Sequence, residues 1–323
     1  MAETILSVKD LKKHYPVKKS DSFFQTDWLK AVDGVSFQIK RGETLGLVGE
    51  SGCGKSTIRK LVLRLEPATN GEVTYQGNQV FSLSKRQLAE FRKKSQVIFQ
   101  DPYSSLDPKW KVGNIIGEAL NIHRIGSKRE RKEKVLKIMD LVGLQAGWYD
   151  RHPHEFSGGQ RQRIGIARAL ALDPELIIAD EPVSALDVSI QAQVLNLLID
   201  LQQRLGLTYL FISHDLSVIR YISTRVAVMY LGKLVEVADT DELFSSPLHP
   251  YTQLLMEAIP LPDPESKASF SIVRGEVPSP INPPSACRFH PRCREAQKIC
   301  REEEPKMVNV QGTHYVACHL HEK

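Results

Sequence analysis

Two short stretches of this chain hold residues whose types and order suit phosphate chemistry. The first is GESGCGKST, running from Gly49 through Glu50, Ser51, Gly52, Cys53, Gly54, Lys55 and Ser56 to Thr57. It follows the apolar run TLGLV and leads into STIRKLVLRL, so strand, glycine-rich loop, lysine, hydroxyl and helix come in the order that a phosphate-binding loop requires. Glycines let backbone amides turn inward around phosphates, and the following helix offers them its positive end. Lys55 is expected to reach the β- and γ-phosphates, and the Ser56 hydroxyl to ligate magnesium. Cys53 reads as a small side chain that fits the loop, with a thiol activated by the helix end and Lys55 as the alternative. The second stretch is LIIADEP, an apolar strand ending in adjacent carboxylates. Asp180 is placed to hold the metal, and Glu181, one position further on, to act as general base toward a water. A third strand-like run, LTYLFIS, delivers His214 to the same sheet edge; a lone histidine there is commonly a packing residue, so its role rests on the constellation.

The elements that must position these residues follow from apolar patterning. Short β-rich runs recur between helix-like stretches: ILSV, VSFQI, TLGLVG, QVIF, LIIAD, LTYLFIS and VAVMY. Such alternation predicts an α/β fold with substantial parallel pairing. The earliest runs alternate apolar with polar and are separated by turns such as QGN, which predicts a smaller antiparallel sheet open on one side. From Val112 to Gly165 the spacing turns helical with no strand in between, which reads as a helical insertion. After HPYTQLLMEAIP, prolines accumulate through LPDPESKAS and EVPSPINPPS, marking a linker. The expected organisation is a nucleotide-binding domain over 1–259 with a helical subdomain at about 101–165, a Pro-rich linker at 260–285, and a Cys-rich extension at 286–323. No internal repeat is present.

Composition narrows the class. Hydrophobic residues at 41% and charged residues at 25% are ordinary globular values. Basic residues number 43 against 38 acidic, and the densest cluster, SKRERKEK, alternates in sign, so it reads as a solvated helix face and no nucleic-acid partner is expected. No leader pattern precedes MAETILSVKD and no apolar run approaches the ~18 residues that span a bilayer, which predicts a cytosolic location.

The stretch FSGGQRQRIGIARAL, from Phe156 to Leu170, resembles the signature of ABC-transporter ATPase subunits. Phe156 departs from the more frequent leucine, while Ser157, Gly158, Gly159 and Gln160 are intact. The resemblance implies a P-loop NTPase, RecA-like core with an antiparallel β subdomain and a helical signature subdomain. It further implies that the serine and glycines meet the γ-phosphate of ATP held by an opposite subunit, so that ATP lies between two chains. Gln100 in VIFQDP would then sense γ-phosphate and metal, Asp187 in SALD would communicate across the dimer, His214 would contact the γ-phosphate and support Glu181, and Tyr15 in LKKHYPV would stack on adenine. QDPYSSLDP, DEPVSALDVSIQAQVLNLL, SPLHPYTQLLMEAIP and GEVPSPINPPSACRFHPRC are similar to the peptide and nickel importer branch, and LKKHYPVKK with VLNLLIDLQQ to its F-type ATP-binding subunit. That branch implies a D-type partner ATPase, two integral-membrane permease subunits, an extracytoplasmic peptide-binding protein, and a place on the cytoplasmic face of the membrane. Nickel or glutathione is the alternative cargo. One uninterrupted cassette argues against a soluble translation or repair ATPase, and a small-molecule kinase has no use for FSGGQ.

Four of the five cysteines, Cys287, Cys293, Cys300 and Cys318, fall near the end of the sequence. Clustered cysteines in a reducing compartment are more commonly metal ligands than disulfide partners. Four thiolates suit tetrahedral zinc or an iron-sulfur cluster, and His290, His314, His319 and His321 stand near enough in sequence to substitute as zinc ligands. The spacing leaves the metal open; resemblance to importer subunits with such a tail favours a [4Fe-4S] cluster, serving to staple a segment too short to build its own core.

Overall fold

All seven of the short β-rich runs form strands in the computed structural model, which describes residues 3–18, 26–101, 103, 105–258 and 276–322. ILSV and VSFQI lie within the long strands Thr4–Lys18 and Thr26–Lys40. These join Asn70–Tyr75 and Asn78–Gln79 in a four-stranded sheet in which Asn70–Tyr75 pairs antiparallel with both Thr4–Lys18 and Asn78–Gln79. Residues 35–40 alternate buried and exposed as the sequence predicts, whereas in the first strand Ile5 and Leu6 are both buried and Lys9 and Asp10 both exposed. The QGN turn closes its last hairpin, with Gln76 and Gly77 both at positive φ (46° and 77°). That geometry matches the right-handed twist of the flanking strands.

The chain divides into two compact units. One comprises Met1–Ile5, Lys40–Glu43 and Ser82–Phe211; the other comprises Leu6–Ile39, Thr44–Phe81 and Ile212–Lys323. In the first, Ser95–Ile98 pairs parallel with Leu176–Asp180, whose five residues are all buried. Strands buried on both faces read as unbroken apolar runs, which is why LIIAD shows no alternation. The helical insertion follows as Val112–Ile122, Lys128–Leu141 and Gly158–Leu170, and no described residue between 101 and 175 is in a strand. Ser127 and Glu130 form a capping box that starts the middle helix. This helix carries SKRERKEK and buries only Val135, Ile138 and Met139, leaving the mixed charges as the solvated face that the sequence predicts.

In the second unit, Thr44–Val48 runs parallel to Arg225–Tyr230, which pairs antiparallel with Lys233–Asp239. Part of residues 276–322 continues this sheet. Val308–Gln311 and His314–Val316 form a hairpin, and Glu236 and Val237 pair with Val316 and Tyr315. The Cys-rich extension is therefore built onto the sheet whose strand Thr44–Val48 feeds the phosphate loop. Residues 260–275 of the expected linker lie outside the described residues. None of the helices formed by the described residues is long and apolar enough to cross a membrane.

Candidate active site

In the second unit the phosphate loop leaves Thr44–Val48 and enters the helix Lys55–Val62. Gly54 sits at φ +112°, and a Cβ placed on it would lie 2.1 Å from the backbone oxygen of Ala31. Only glycine fits there. The Lys55 side chain is buried, its ammonium donating to the carbonyl oxygens of Gly49 (2.6 Å) and Glu50 (3.0 Å). Ser56 is exposed, and Thr57 half-buried. Cys53 is buried and burial pushes its thiol up, outweighing the pull of Lys55. That upward shift favours the packing reading of Cys53 over an activated thiol. Tyr15 is half-buried, its hydroxyl donating to Glu66, which also holds Lys60 at 2.9 Å. Burial and then Glu66 push the phenol up to about 12, so it stays protonated. The Lys13 ammonium lies 4.9 Å from the Tyr15 ring centroid. His214 is exposed just past the strand Thr208–Ser213, and its neighbour Asp215 caps the helix Leu216–Ile222 through the amides of Ser217 and Val218.

The first unit brings together three of the predicted residues. Asp180 ends the buried strand and is itself buried. Glu181 follows at φ +46°, a left-handed conformation that turns the chain sharply out of the sheet. The amide of Gln100 donates to the Glu181 carboxylate at 2.7 Å, a contact between residues 81 apart. Ser157 caps the helix Gly158–Leu170, its hydroxyl accepting from the Gln160 amide while the Gln160 side chain accepts from the Ser157 amide at 3.0 Å. This capping box fixes the helix terminus formed by the serine and glycines that the resemblance sets against a γ-phosphate. A Cβ on Gly159 would lie 2.5 Å from Ile190, and one on Gly158 would lie 3.4 Å from Leu186. The signature thus packs against the segment around Asp187, which is exposed and begins the helix Val188–Leu205. Phe156, the departure from leucine, is buried edge-on against Trp148 with ring centroids 5.4 Å apart.

The cysteine cluster requires correction in part. Cys287, Cys293, Cys300 and Cys318 are free thiols, each within electrostatic reach of the others. Yet among the described residues no group of three or more His, Cys, Asp or Glu side chains is arranged to hold a metal ion. The alternative histidine ligands are engaged elsewhere. His314 bridges Glu236 (2.7 Å) and Glu242 (3.4 Å), His319 holds Glu322 (2.7 Å), His321 faces the Leu248 carbonyl (3.2 Å) and His290 that of Cys287 (2.8 Å). In donor chemistry the thiols still suit a metal. Burial pushes Cys287 and Cys318 up to about 11, a level that a bound cation would reverse. The backbone at Phe289, Glu295 and Leu320 supplies hydrogen bonds to Cys287, Cys293 and Cys318 that favour thiolates.

Sequence reasoning missed two sets of residues. One is the buried acid Glu236, which accepts from the amides of Leu248 and His249 and faces His314. Burial alone would raise it, but those donors outweigh burial and hold the carboxyl low. The other is Arg292, paired with Glu50. An acid inside a phosphate-binding loop was the available signal, since it calls for a cation nearby.

His249 gives a pH prediction. It is buried, and burial lowers it to about 4 while the unfolded side chain titrates near 6.5. The unfolded chain therefore takes up a proton that the folded one refuses, so stability is full above about 6.5 and falls as pH drops toward 4. This group alone costs about 1 kcal/mol between pH 7 and 5.5, or about 2–4 °C in Tm. His249→Asn keeps a side-chain acceptor for the Tyr251 amide and is expected to shrink the acid-induced fall in Tm by that amount in paired melts. The His314 share has the opposite sign, because its carboxylate neighbours outweigh burial and raise it, and it cancels in the paired comparison.

Comparison with known proteins adds the family. A model described as ABC transporter matches residues 32–184, and one described as oligopeptide/dipeptide transporter, C-terminal region, matches residues 235–300. The chain is 52% identical to the oligopeptide transport ATP-binding protein AppF of Bacillus subtilis over 99% of its own length and 98% of that protein's. It is 52% identical to the dipeptide transport ATP-binding protein DppF of Haemophilus influenzae, covering 97% and 96%. Its fold is similar to cbiO1 of Clostridium perfringens, part of the ABC transporter complex cbiONQ (25% identity, TM-score 0.65, 76% and 92% of the two chains). The bacterial ABC transporter cassette MJ0796 is similarly close, at 28% identity and TM-score 0.63 over 73% and 98%.

Proposed function

The chain belongs to the ABC-transporter ATP-binding family, and from that premise we propose that it hydrolyses ATP to power import of di- or oligopeptides. The match at residues 235–300 to the oligopeptide/dipeptide C-terminal region carries the peptide part of this reading. Names borne by AppF and DppF support it. The partners are a second, D-type ATPase, two permease subunits in the membrane and an extracytoplasmic peptide-binding protein, with this subunit at the cytoplasmic face. The ATPase domain runs over 1–259, the linker over 260–285 and the extension over 286–323.

Within the site, Glu181 takes the proton of the attacking water, held in place by the Gln100 amide. Lys55 and the loop amides bind the β- and γ-phosphates, while Tyr15 receives the adenine. Ser157, Gly158, Gly159 and Gln160 present a helix terminus to nucleotide on an opposing subunit, with Asp187 signalling between subunits and His214 supporting Glu181. Asp180, Ser56 and Gln100 would hold Mg2+, which supplies neutralisation of phosphate charge when bound. The extension's four cysteines would hold a [4Fe-4S] cluster, with zinc the alternative; the group would staple the extension.

The test is reconstitution of this chain with its permease partners and binding protein in proteoliposomes. ATP-dependent uptake of a labelled peptide, competed by unlabelled peptide and not by nickel or glutathione, is expected. Recovery of this chain only in soluble complexes lacking any integral-membrane protein would remove the importer reading. The same preparation, made anaerobically, is expected to carry iron and acid-labile sulfide; stoichiometric zinc would replace that assignment.

A further inference from the structure

We propose that Arg292, in the Cys-rich extension, is a positioning residue for the phosphate loop: it neutralises Glu50 and fixes the backbone that holds Lys55. The proposal rests on ATP binding at that loop and on contacts within the second unit.

Glu50 is the second residue of GESGCGKST, so its carboxylate sits in a loop meant for polyanions. Left alone, that charge opposes the phosphates. Arg292 meets it with both terminal nitrogens, at 2.8 Å and 3.0 Å, in the two-pronged geometry that guanidinium and carboxylate share. The Arg292 side chain is only 5% exposed, and lies 5.8 Å from the Tyr230 ring centroid and 5.9 Å from that of Phe289. Aromatic faces and low exposure hold the guanidinium in one place and strengthen its field.

Glu50 is tied at two further points. Its amide donates to the Tyr251 hydroxyl at 2.9 Å, and its carbonyl accepts from the Lys55 ammonium at 3.0 Å. Arg292, Glu50 and Lys55 thus form one connected series of polar contacts from the extension into the loop. The segment bearing Arg292 is held independently. Arg288, four residues earlier, binds Asp33 and the Leu231 carbonyl, and Phe289 packs on Tyr230 (5.3 Å) and Tyr251 (5.4 Å). Further upstream, Val277 to Pro280 line the same small cavity as Glu50 to Cys53. A displaced extension would leave an unpaired acid in the phosphate loop.

The experiment measures affinity for a fluorescent ATP analogue, and kcat against KM for ATP, in the full-length chain and its assembled transporter. Arg292→Met is expected to weaken ATP binding about tenfold with kcat changed less than about twofold, the scale of one uncompensated, partly screened charge at close range. The deficit should shrink in high salt, which screens repulsion between Glu50 and phosphate. Adding Glu50→Gln to Arg292→Met should recover most of the loss, because the offending charge is gone. Arg292→Lys, which keeps the charge without the fork, should lie between wild type and Arg292→Met. If Arg292→Met does not fold, Arg292→Lys and its double with Glu50→Gln make the same comparison. Unchanged affinity in these variants, a salt-independent deficit, or a double variant as weak as the single overturns the proposal. Failure of the wild type to bind the analogue would instead defeat the ATP-binding assignment itself.

Discussion

Replacing Glu181 by glutamine is expected to lower ATP turnover of the assembled transporter by about 10²–10⁴-fold while leaving nucleotide binding within a few-fold of wild type. The substitution keeps side-chain size and an acceptor for the Gln100 amide, which lies 2.7 Å from the Glu181 carboxylate. What it removes is the capacity to take a proton. The backbone at residue 181 tolerates the exchange, because its left-handed turn (φ +46°) is held by two donors from Ser184, the amide at 3.3 Å and the hydroxyl at 3.1 Å, onto the residue 181 carbonyl. Loss of turnover is therefore a chemical effect and not a collapse of the strand end. Phosphate release measured beside analogue binding separates the two, and near-normal release would remove Glu181 from the role of base.

Gly54→Ala is expected to abolish ATP binding, and for a different reason. The residue sits at φ +112°, outside the range open to L side chains, and its Cβ would lie 2.1 Å from the Ala31 carbonyl oxygen and 2.7 Å from Met229. The first obstacle is backbone of the neighbouring sheet, which cannot yield by changing rotamer. The loop must move instead, and with it the amide of Gly54 and the start of the helix Lys55–Val62. A cost above about 4 kcal/mol follows from combining strain with overpacking, which weakens binding by about a thousandfold or more. Equilibrium binding checks this; retention of wild-type affinity would show that the loop geometry is not what binding requires. Far-UV circular dichroism should change little, since the defect is local.

The parts of the molecule that were legible in the sequence are those in which neighbouring residues carry the signal. LIIAD and LTYLFIS are unbroken apolar runs because both faces of those strands are buried, and QGN closes a hairpin because Gln76 and Gly77 share positive φ. Ser157 and Gln160, three apart, announce a helix start by their spacing alone. Elsewhere sequence was silent for identifiable reasons. Lys233–Asp239 was not singled out because Glu236 interrupts its apolar pattern, and that buried acid is met by His314, 78 residues away, and by the amides of Leu248 and His249. The hairpin at Val308–Gln311 has no buried position, so its pairing with His314–Val316 leaves no apolar alternation to detect. The cysteine spacing pointed to a metal but not to the fate of the histidines, whose carboxylate and carbonyl partners come from distant segments. Within the active site, motif residues could be named individually, whereas the contact of Gln100 with Glu181 depends on two parallel strands lying side by side.

The separation between Glu50 and Arg292 also has a consequence for biosynthesis. The two residues are 242 positions apart, so at ordinary ribosomal speeds roughly 10 to 50 s pass between their syntheses. During that interval the nascent phosphate loop carries its acid without the arginine. A ribosome-bound fragment lacking the extension should therefore hold ATP less well than the finished subunit, which delays nucleotide capture until the segment bearing Arg292 has emerged and docked.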